Sequence, residues 1–424
     1  MSFIRSAIQK IAVLDRRRIL IFFTVMGPGL ITANADNDAG GIATYAIAGA
    51  QEGYGLLWLL LIITINLAVV QEMSARMGVV TGKGLADLIR ERFGVKLTFI
   101  CMMLLIVANL TTTTAEFAGV AAALELFGVS RLISVPLAAG FVWVLVVKGN
   151  YKKVERVFLV FCLLYFTYVI SGIMAHPPWG EVMKSMARPS FRLDPSYINL
   201  SIALIGTTIT PWMQFFLQSS VVDKGVKAEN YPYTRNEVFF GAFFTDFIAF
   251  FIVVATATTL FSQGIRVDSA ADAALALRPL AGDYAYILFA LGLLNASLMA
   301  ASILPLSTSY AVCEAFGWES GMDNDWGEAP QFLGLYTGFI VIGAGIVLLP
   351  GIHLFTIMLI SQTVSGILLP VILVFMLIII NDREIMGEHV NGPVFNFMAW
   401  GIATLLIVLT TLLLVTTVSP GLFG

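Results

Sequence analysis

Apolar runs of about 20 residues or more, the length that crosses a bilayer core as a helix, recur from one end of the chain to the other. The pattern predicts eleven spans, at 19–50, 54–80, 97–126, 132–149, 155–176, 195–223, 236–263, 283–314, 331–350, 352–380 and 395–418. Several exceed one straight crossing, so tilt or a break is expected in them. The longest polar stretches, 177–194 and 264–282, are too short for a separate folded module. One all-α polytopic membrane domain covering residues 1–424 is therefore expected.

Two of the runs are interrupted by residues that a lipid-facing helix does not tolerate. The first run carries Gly27-Pro28-Gly29 and then Asn34-Ala35-Asp36-Asn37-Asp38-Ala39-Gly40-Gly41. The sixth carries Gly206-Thr207-Thr208-Ile209-Thr210-Pro211-Trp212. Pro211 lacks a backbone donor and clashes with the preceding turn, so the helix is expected to open around Thr207. Open backbone at membrane depth persists only inside protein or beside a water-filled cavity. Interrupted helices at corresponding places in two halves point to an inverted-repeat transporter with its site at the bilayer midplane. Asp38 abuts the glycine pair and is the expected cation ligand. Asp36 is either a charge supporting the ion path or a carboxylate that faces water or caps a half-helix.

Composition narrows the class. Hydrophobic residues make up 58% and charged residues 12%, about half the charge of a soluble domain. That excludes a soluble enzyme or a disordered chain, and the net charge of −3 gives no basic surface for nucleic acid. With the N-terminus in the cytoplasm, 18 of the 24 Lys and Arg fall in inside segments, which puts the C-terminus outside. The acidic segment 315–330 dissents, carrying no Lys or Arg. The first 18 residues lack a signal-peptide pattern and end in Arg16, Arg17 and Arg18. Cys101, Cys162 and Cys313 sit in apolar runs, and His176, His353 and His389 lack metal-ligand spacing. No metalloprotease motif or nucleophile elbow suggests an enzyme. Most tryptophans are expected in belts at the membrane interfaces.

At the two interruptions the chain resembles the Nramp family of divalent-metal transporters, and the match runs nearly end to end. MGPGLITANADNDAGGIATYAIAGAQEGYGLLW follows the family's first span, SARMGVVTGKGLADL the loop after the second, LIGTTITPW and QSSVV the sixth, and ISQTVSGILLP and NDREIMGEH the tenth and its exit. The resemblance implies a LeuT-type fold. Spans one to five (19–176) and six to ten (195–380) would form inverted repeats, helices one and six would be broken at the midplane, and 395–418 would be an extra helix.

The departures from the family pattern carry the functional expectation. Where the family has Asp-Pro-Gly-Asn, this chain has Asp38-Ala39-Gly40-Gly41; where the family has Met-Pro-His, it has Thr210-Pro211-Trp212. An amide oxygen is lost at Gly41 and a thioether at Thr210. Thioethers favour soft transition metals, whereas carboxylate, carbonyl and water suit Mg²⁺ and Mn²⁺. Mg²⁺ also keeps several of its waters, which suits a roomier site. The pattern looks like the prokaryotic Nramp-related magnesium transporters. The metal set carried over from the resemblance is Asp38, Gly41, Thr207 through its carbonyl, Thr210 and Gln362. Thr210 gives either a hydroxyl or only space and water, and Gln362 either a ligand or an interhelical hydrogen bond. Asp36, Asn37, Thr208, Trp212, Glu116 and Thr113 are expected around the ion path.

The same comparison bears on proton coupling. The family's Asp-x-x-Glu in span three is here Thr113-Thr114-Ala115-Glu116, its span-six histidine is Trp212, and no arginine lies within 331–350. Threonine and tryptophan do not titrate near neutral pH. Uncoupled Mg²⁺ uptake by alternating access is therefore expected, with Mn²⁺ also carried. The expected setting is the plasma (inner) membrane, and the transport unit is expected to be a monomer without a resident cofactor. The competing readings are a proton-coupled Mn²⁺/Fe²⁺ transporter of the same family and a Na⁺-coupled amino-acid symporter. Of the other intramembrane charges, Glu72 lines the ion path or marks a cytoplasmic helix end, Asp246 is expected to pair across the bundle, and Glu314 ends a helix.

Overall fold

The computed structural model describes residues 36–148, 165–322 and 324–418. Every regular element among them is a helix. The principal ones are α1 (Ala39–Glu52), α2 (Leu57–Thr81), α3 (Leu85–Glu125), α4 (Arg131–Val147), α5 (Phe166–Met174), α6 (Trp179–Ala187), α7 (Pro195–Thr208), α8 (Pro211–Asp223), α9 (Tyr231–Thr259), α10 (Ala285–Phe316), α11 (Pro330–Val347), α12 (Leu354–Ile380) and α13 (Pro393–Val418). Short helical turns fill the polar stretch between α9 and α10.

Eight helical stretches among the described residues are long and apolar enough to cross a membrane. They coincide with the second, third and sixth to eleventh predicted spans. The fourth is α4, a shorter apolar helix of 17 residues. The first and fifth are seen only in their second parts, α1 and α5. Gly27-Pro28-Gly29, Asn34, the basic residues Arg5, Lys10, Arg16, Arg17, Arg18, Lys152, Lys153 and Arg156, and Cys162 lie outside the described residues.

Helix ends follow local chemistry. Asp194 caps α7 by accepting from the Tyr197 N–H at 2.9 Å, with Pro195 at the first helical position. α2 and α10 stop at Gly82 and Gly317, both left-handed. One boundary departs from expectation: α3 begins at Leu85, not near 97. Its first turns carry Asp87, Arg90, Glu91 and Arg92, which hide them from a search for apolar runs. Gly94 (φ 77°, ψ 170°) then turns the chain into the span proper, a conformation that glycine adopts without a Cβ penalty.

The interrupted sixth span is the centre of the bundle. The apolar stretch running through α7 and α8 is wholly buried, packed by α1, α2, α10 and α12. α3 braces α10 and α12, while α1 lies along α9. α7 and α12 meet backbone to backbone: a Cβ on Gly206 would lie 2.3 Å from the Gln362 carbonyl oxygen and 2.4 Å from the Gly366 nitrogen. Small residues allow such approaches where lipid supplies no hydrophobic drive between helices. α4 and α13 are peripheral, with Leu137 68% and Phe397 81% exposed. Trp179, Trp318, Trp326 and Trp400 are exposed, and Trp212, expected deep in the sixth span, is fully buried.

Candidate metal centre

In the described backbone the sixth span opens between α7 and α8, and the first span is not helical at Asn37 and Asp38. Asp36 is helical, Asn37 and Asp38 are not, and α1 starts at Ala39. Asp38 (φ −73°, ψ −178°) is the N-cap of α1, its Oδ1 accepting from the Gly41 N–H at 2.5 Å. In the sixth span α7 runs through Thr208, Ile209 and Thr210 leave helical geometry, and α8 begins at Pro211. The opening thus falls after Thr207 rather than at it, because the Ile209 N–H still donates to Ile205 at 2.8 Å. The steric demand of Pro211 falls on Thr210, the residue before it, which is extended (φ −74°, ψ 143°). Pro211 stands four residues after Thr207 and has no N–H, so the Thr207 carbonyl loses its intrahelical donor.

These segments meet around Gly41. A Cβ on Gly41 would lie 3.0 Å from the Asp36 carbonyl oxygen, 3.1 Å from Thr207 Oγ1 and 3.2 Å from Asp38 Oδ1. Three oxygens from both interrupted spans therefore face the space that glycine leaves open. Gln362 of α12 lies against the same turn, its Nε2 donating to Asp38 Oδ1 at 3.5 Å. Its Oε1 has no partner. As placed it is an interhelical donor; a half-turn of the amide exchanges nitrogen for oxygen. Glu116 reaches in from α3, Oε2 accepting from the Ala39 N–H at 3.2 Å and Oε1 unpartnered. Two carboxylates thus satisfy the first N–H groups of α1, which every helix start leaves free.

The other expected residues divide. Thr210 and Trp212 are buried in the opening, with Thr210 Oγ1 and Trp212 Nε1 unpartnered. The Trp212 carbonyl accepts from Ser307 at 3.0 Å. The Thr208 hydroxyl is committed, donating to Leu204 at 2.9 Å and facing the Tyr45 hydroxyl at 3.0 Å. Asn37 turns to α9, its Nδ2 donating to Thr245 Oγ1 at 2.8 Å. Thr113 lies against α11: a Cβ on Gly343 would be 3.1 Å from Thr113 Cγ2. Tyr45 and Tyr165 were not singled out from sequence. Tyr45 ties α1 to α7, and the Tyr165 hydroxyl donates to the Asn37 carbonyl at 2.9 Å. The available signal was that a buried tyrosine hydroxyl needs a partner.

Among the remaining charges, Glu72 pairs with Arg76 at 3.2 Å and accepts from Tyr231. Glu314 stands at the end of α10, accepting from Ser219 at 2.6 Å. Asp246 is buried on α9 close to Thr64 of α2, a polar group across the bundle, with neither carboxylate oxygen in a hydrogen bond of normal geometry.

No three His, Cys, Asp or Glu side chains cluster to hold a metal among the described residues. A cation at the junction would rest on one or two carboxylates and several neutral oxygens, a set that suits hard ions.

Known proteins agree with this architecture. The family profile described as natural resistance-associated macrophage protein-like (Nramp) matches residues 29–416. A "Divalent metal cation transporter MntH" of Pectobacterium carotovorum is 28% identical over 408 residues, covering 93% of this chain and 95% of that one. The structure of a manganese transporter of Eremococcus coleocola superposes with a TM-score of 0.71 at 23% identity, covering 92% of this chain and 85% of that chain. MHP1, a nucleobase-cation-symport-1 family transporter in a closed conformation, gives 0.56 at 13% identity, covering 92% and 89%.

Proposed function

The chain belongs to the Nramp family of multi-pass membrane transporters, with a LeuT-type fold, and from that membership we propose that it takes up divalent metal ions, chiefly Mg²⁺ and also Mn²⁺, without proton coupling. The divalent cargo follows the MntH relatives. The observation that carries the hard-ion preference is the glycine-lined gap facing the Asp36 carbonyl, Thr207 Oγ1 and Asp38 Oδ1, with no thioether at Thr210. A hydrated Mg²⁺ bound there is held by Asp38 and the Thr207 carbonyl, with Gln362, Thr210 and the space at Gly41 receiving its waters.

The drive is the inside-negative potential, worth about 4.6 kcal/mol per 100 mV for two charges. In this reading residues 19–176 and 195–380 are inverted repeats that rock about the junction. The N-terminus is cytoplasmic, the C-terminus extracytoplasmic, the setting the bacterial inner membrane and the transport unit a monomer. Proton coupling is disfavoured because Thr113 and Trp212 stand where the family carries titratable groups.

The test is Mg²⁺ uptake into proteoliposomes at a clamped potential with internal pH recorded. Mg²⁺ influx without acidification, and poor competition by Cd²⁺, is the expected result. Acidification that follows the Mg²⁺ gradient would overturn the uncoupled reading, and Cd²⁺ displacing Mg²⁺ at low concentration would overturn the hard-ion reading.

A further inference from the structure

Asp246 is the buried charge that this pathway does not use. It sits midway along α9, next to Thr245, and is 3% exposed. Thr245 is locked to the first interruption: Asn37 Nδ2 donates to its Oγ1 at 2.8 Å and to its carbonyl at 3.3 Å. The residue before Asn37 is Asp36, 1% exposed. The Asn37–Thr245 clasp therefore sets two buried carboxylates, one from each segment, each next in sequence to one partner of the same hydrogen-bonded pair. All four carboxylate oxygens lack a hydrogen-bond partner, and so does Asn37 Oδ1. The nearby Thr64 hydroxyl gives its proton to the Leu60 carbonyl at 2.7 Å. No ion pair joins either aspartate among the described residues.

Buried charges are retained when they are paired or coordinate a metal. A single proton or a monovalent cation would leave this pair with one uncompensated charge. A divalent cation neutralises both. Carboxylates, an amide oxygen and water are the donor set of a hard ion.

We propose that Asp36 and Asp246 form a second divalent-cation station, with Asn37 Oδ1 as a neutral oxygen beside it, separate from the ion at Asp38 and Thr207. The proposal rests on the reading that the chain carries hard divalent cations. In it, the clasp between the broken first span and α9 is completed by an ion.

The test is equilibrium dialysis of the purified full chain against saturating MgCl₂, with bound Mg²⁺ counted per chain. Two ions are expected for the natural sequence, and one each for Asp246→Asn, Asp36→Asn and Asp38→Ala. Monodisperse elution in gel filtration checks that each variant is folded. One ion in the natural chain that is lost with Asp38→Ala and kept with Asp246→Asn overturns the second station while the proposed function stands. No Mg²⁺ bound to the natural chain overturns both. Should both asparagine variants fail to fold, the count for the natural chain decides alone.

Discussion

Replacing Gly41 with alanine places a single methyl group where the proposed ion's water would stand. The added Cβ would lie 3.0, 3.1 and 3.2 Å from the Asp36 carbonyl, Thr207 Oγ1 and Asp38 Oδ1. Those separations are tight but short of a clash, so the neighbours need give only slightly. Alanine also favours the helical backbone of α1 by about 0.5–1 kcal/mol over glycine, so folding should hold. What is lost is room for one water between the cation and a charged oxygen. A hydrogen bond to a charged group is worth about 1.5–3 kcal/mol, which converts to roughly 10- to 150-fold in affinity. The assay is Mg²⁺ uptake into proteoliposomes under a fixed potential, as a function of Mg²⁺ concentration. Gly140→Ala serves as control, since a Cβ there meets nothing within 4 Å. The apparent Mg²⁺ affinity should fall at least tenfold for Gly41→Ala and not at all for Gly140→Ala. Unchanged affinity in Gly41→Ala would refute the placement of the hydrated ion.

Four further outcomes follow from the same geometry. Thr210→Met supplies the thioether and should let Cd²⁺ and Mn²⁺ compete with Mg²⁺ uptake about tenfold better; equal competition in variant and parent contradicts the role given to position 210. Asp38→Ala should abolish transport and also remove the N-cap of α1, worth about 1 kcal/mol, read as a lower melting temperature in metal-free buffer. Gly206→Ala forces a methyl against the α12 backbone at 2.3 Å, and overpacking of about 1–3 kcal/mol should lower the melting temperature. Arg76→Ala removes the cation paired with the buried Glu72 carboxylate and leaves it only the Tyr231 hydroxyl, destabilising the chain by about 3 kcal/mol. Adding Glu72→Gln should recover part of that loss, whereas additive losses in a double-mutant cycle would show that the two are not coupled.

The spans were legible because apolar run length is a direct physical requirement of the bilayer. The interruptions at Asn37-Asp38 and Ile209-Thr210 were legible because carboxylates, amides and Pro211 cannot sit in an unbroken lipid-facing helix. What escaped was set by partners remote in sequence. Nothing local says that Glu116 would cap α1, that Tyr45 would find Thr208, or that Asn37 would turn to Thr245 rather than to the ion path. Asp246 is a further case: the polar group across the bundle, Thr64, gives its proton to the Leu60 carbonyl, which nothing local to α9 announces. The start of α3 escaped because Asp87, Arg90, Glu91 and Arg92 make an amphipathic lead-in that an apolar-run criterion discards.

The central claim is that a hard divalent cation sits where the two interrupted spans meet. Mn²⁺ scatters anomalously and stands in for Mg²⁺, so an anomalous difference map from crystals of the full chain grown in Mn²⁺ tests it directly. A peak beside Asp38 and the Thr207 carbonyl, absent in Asp38→Ala, is the predicted result. Saturating Mn²⁺ with no density in reach of Asp38 would contradict it.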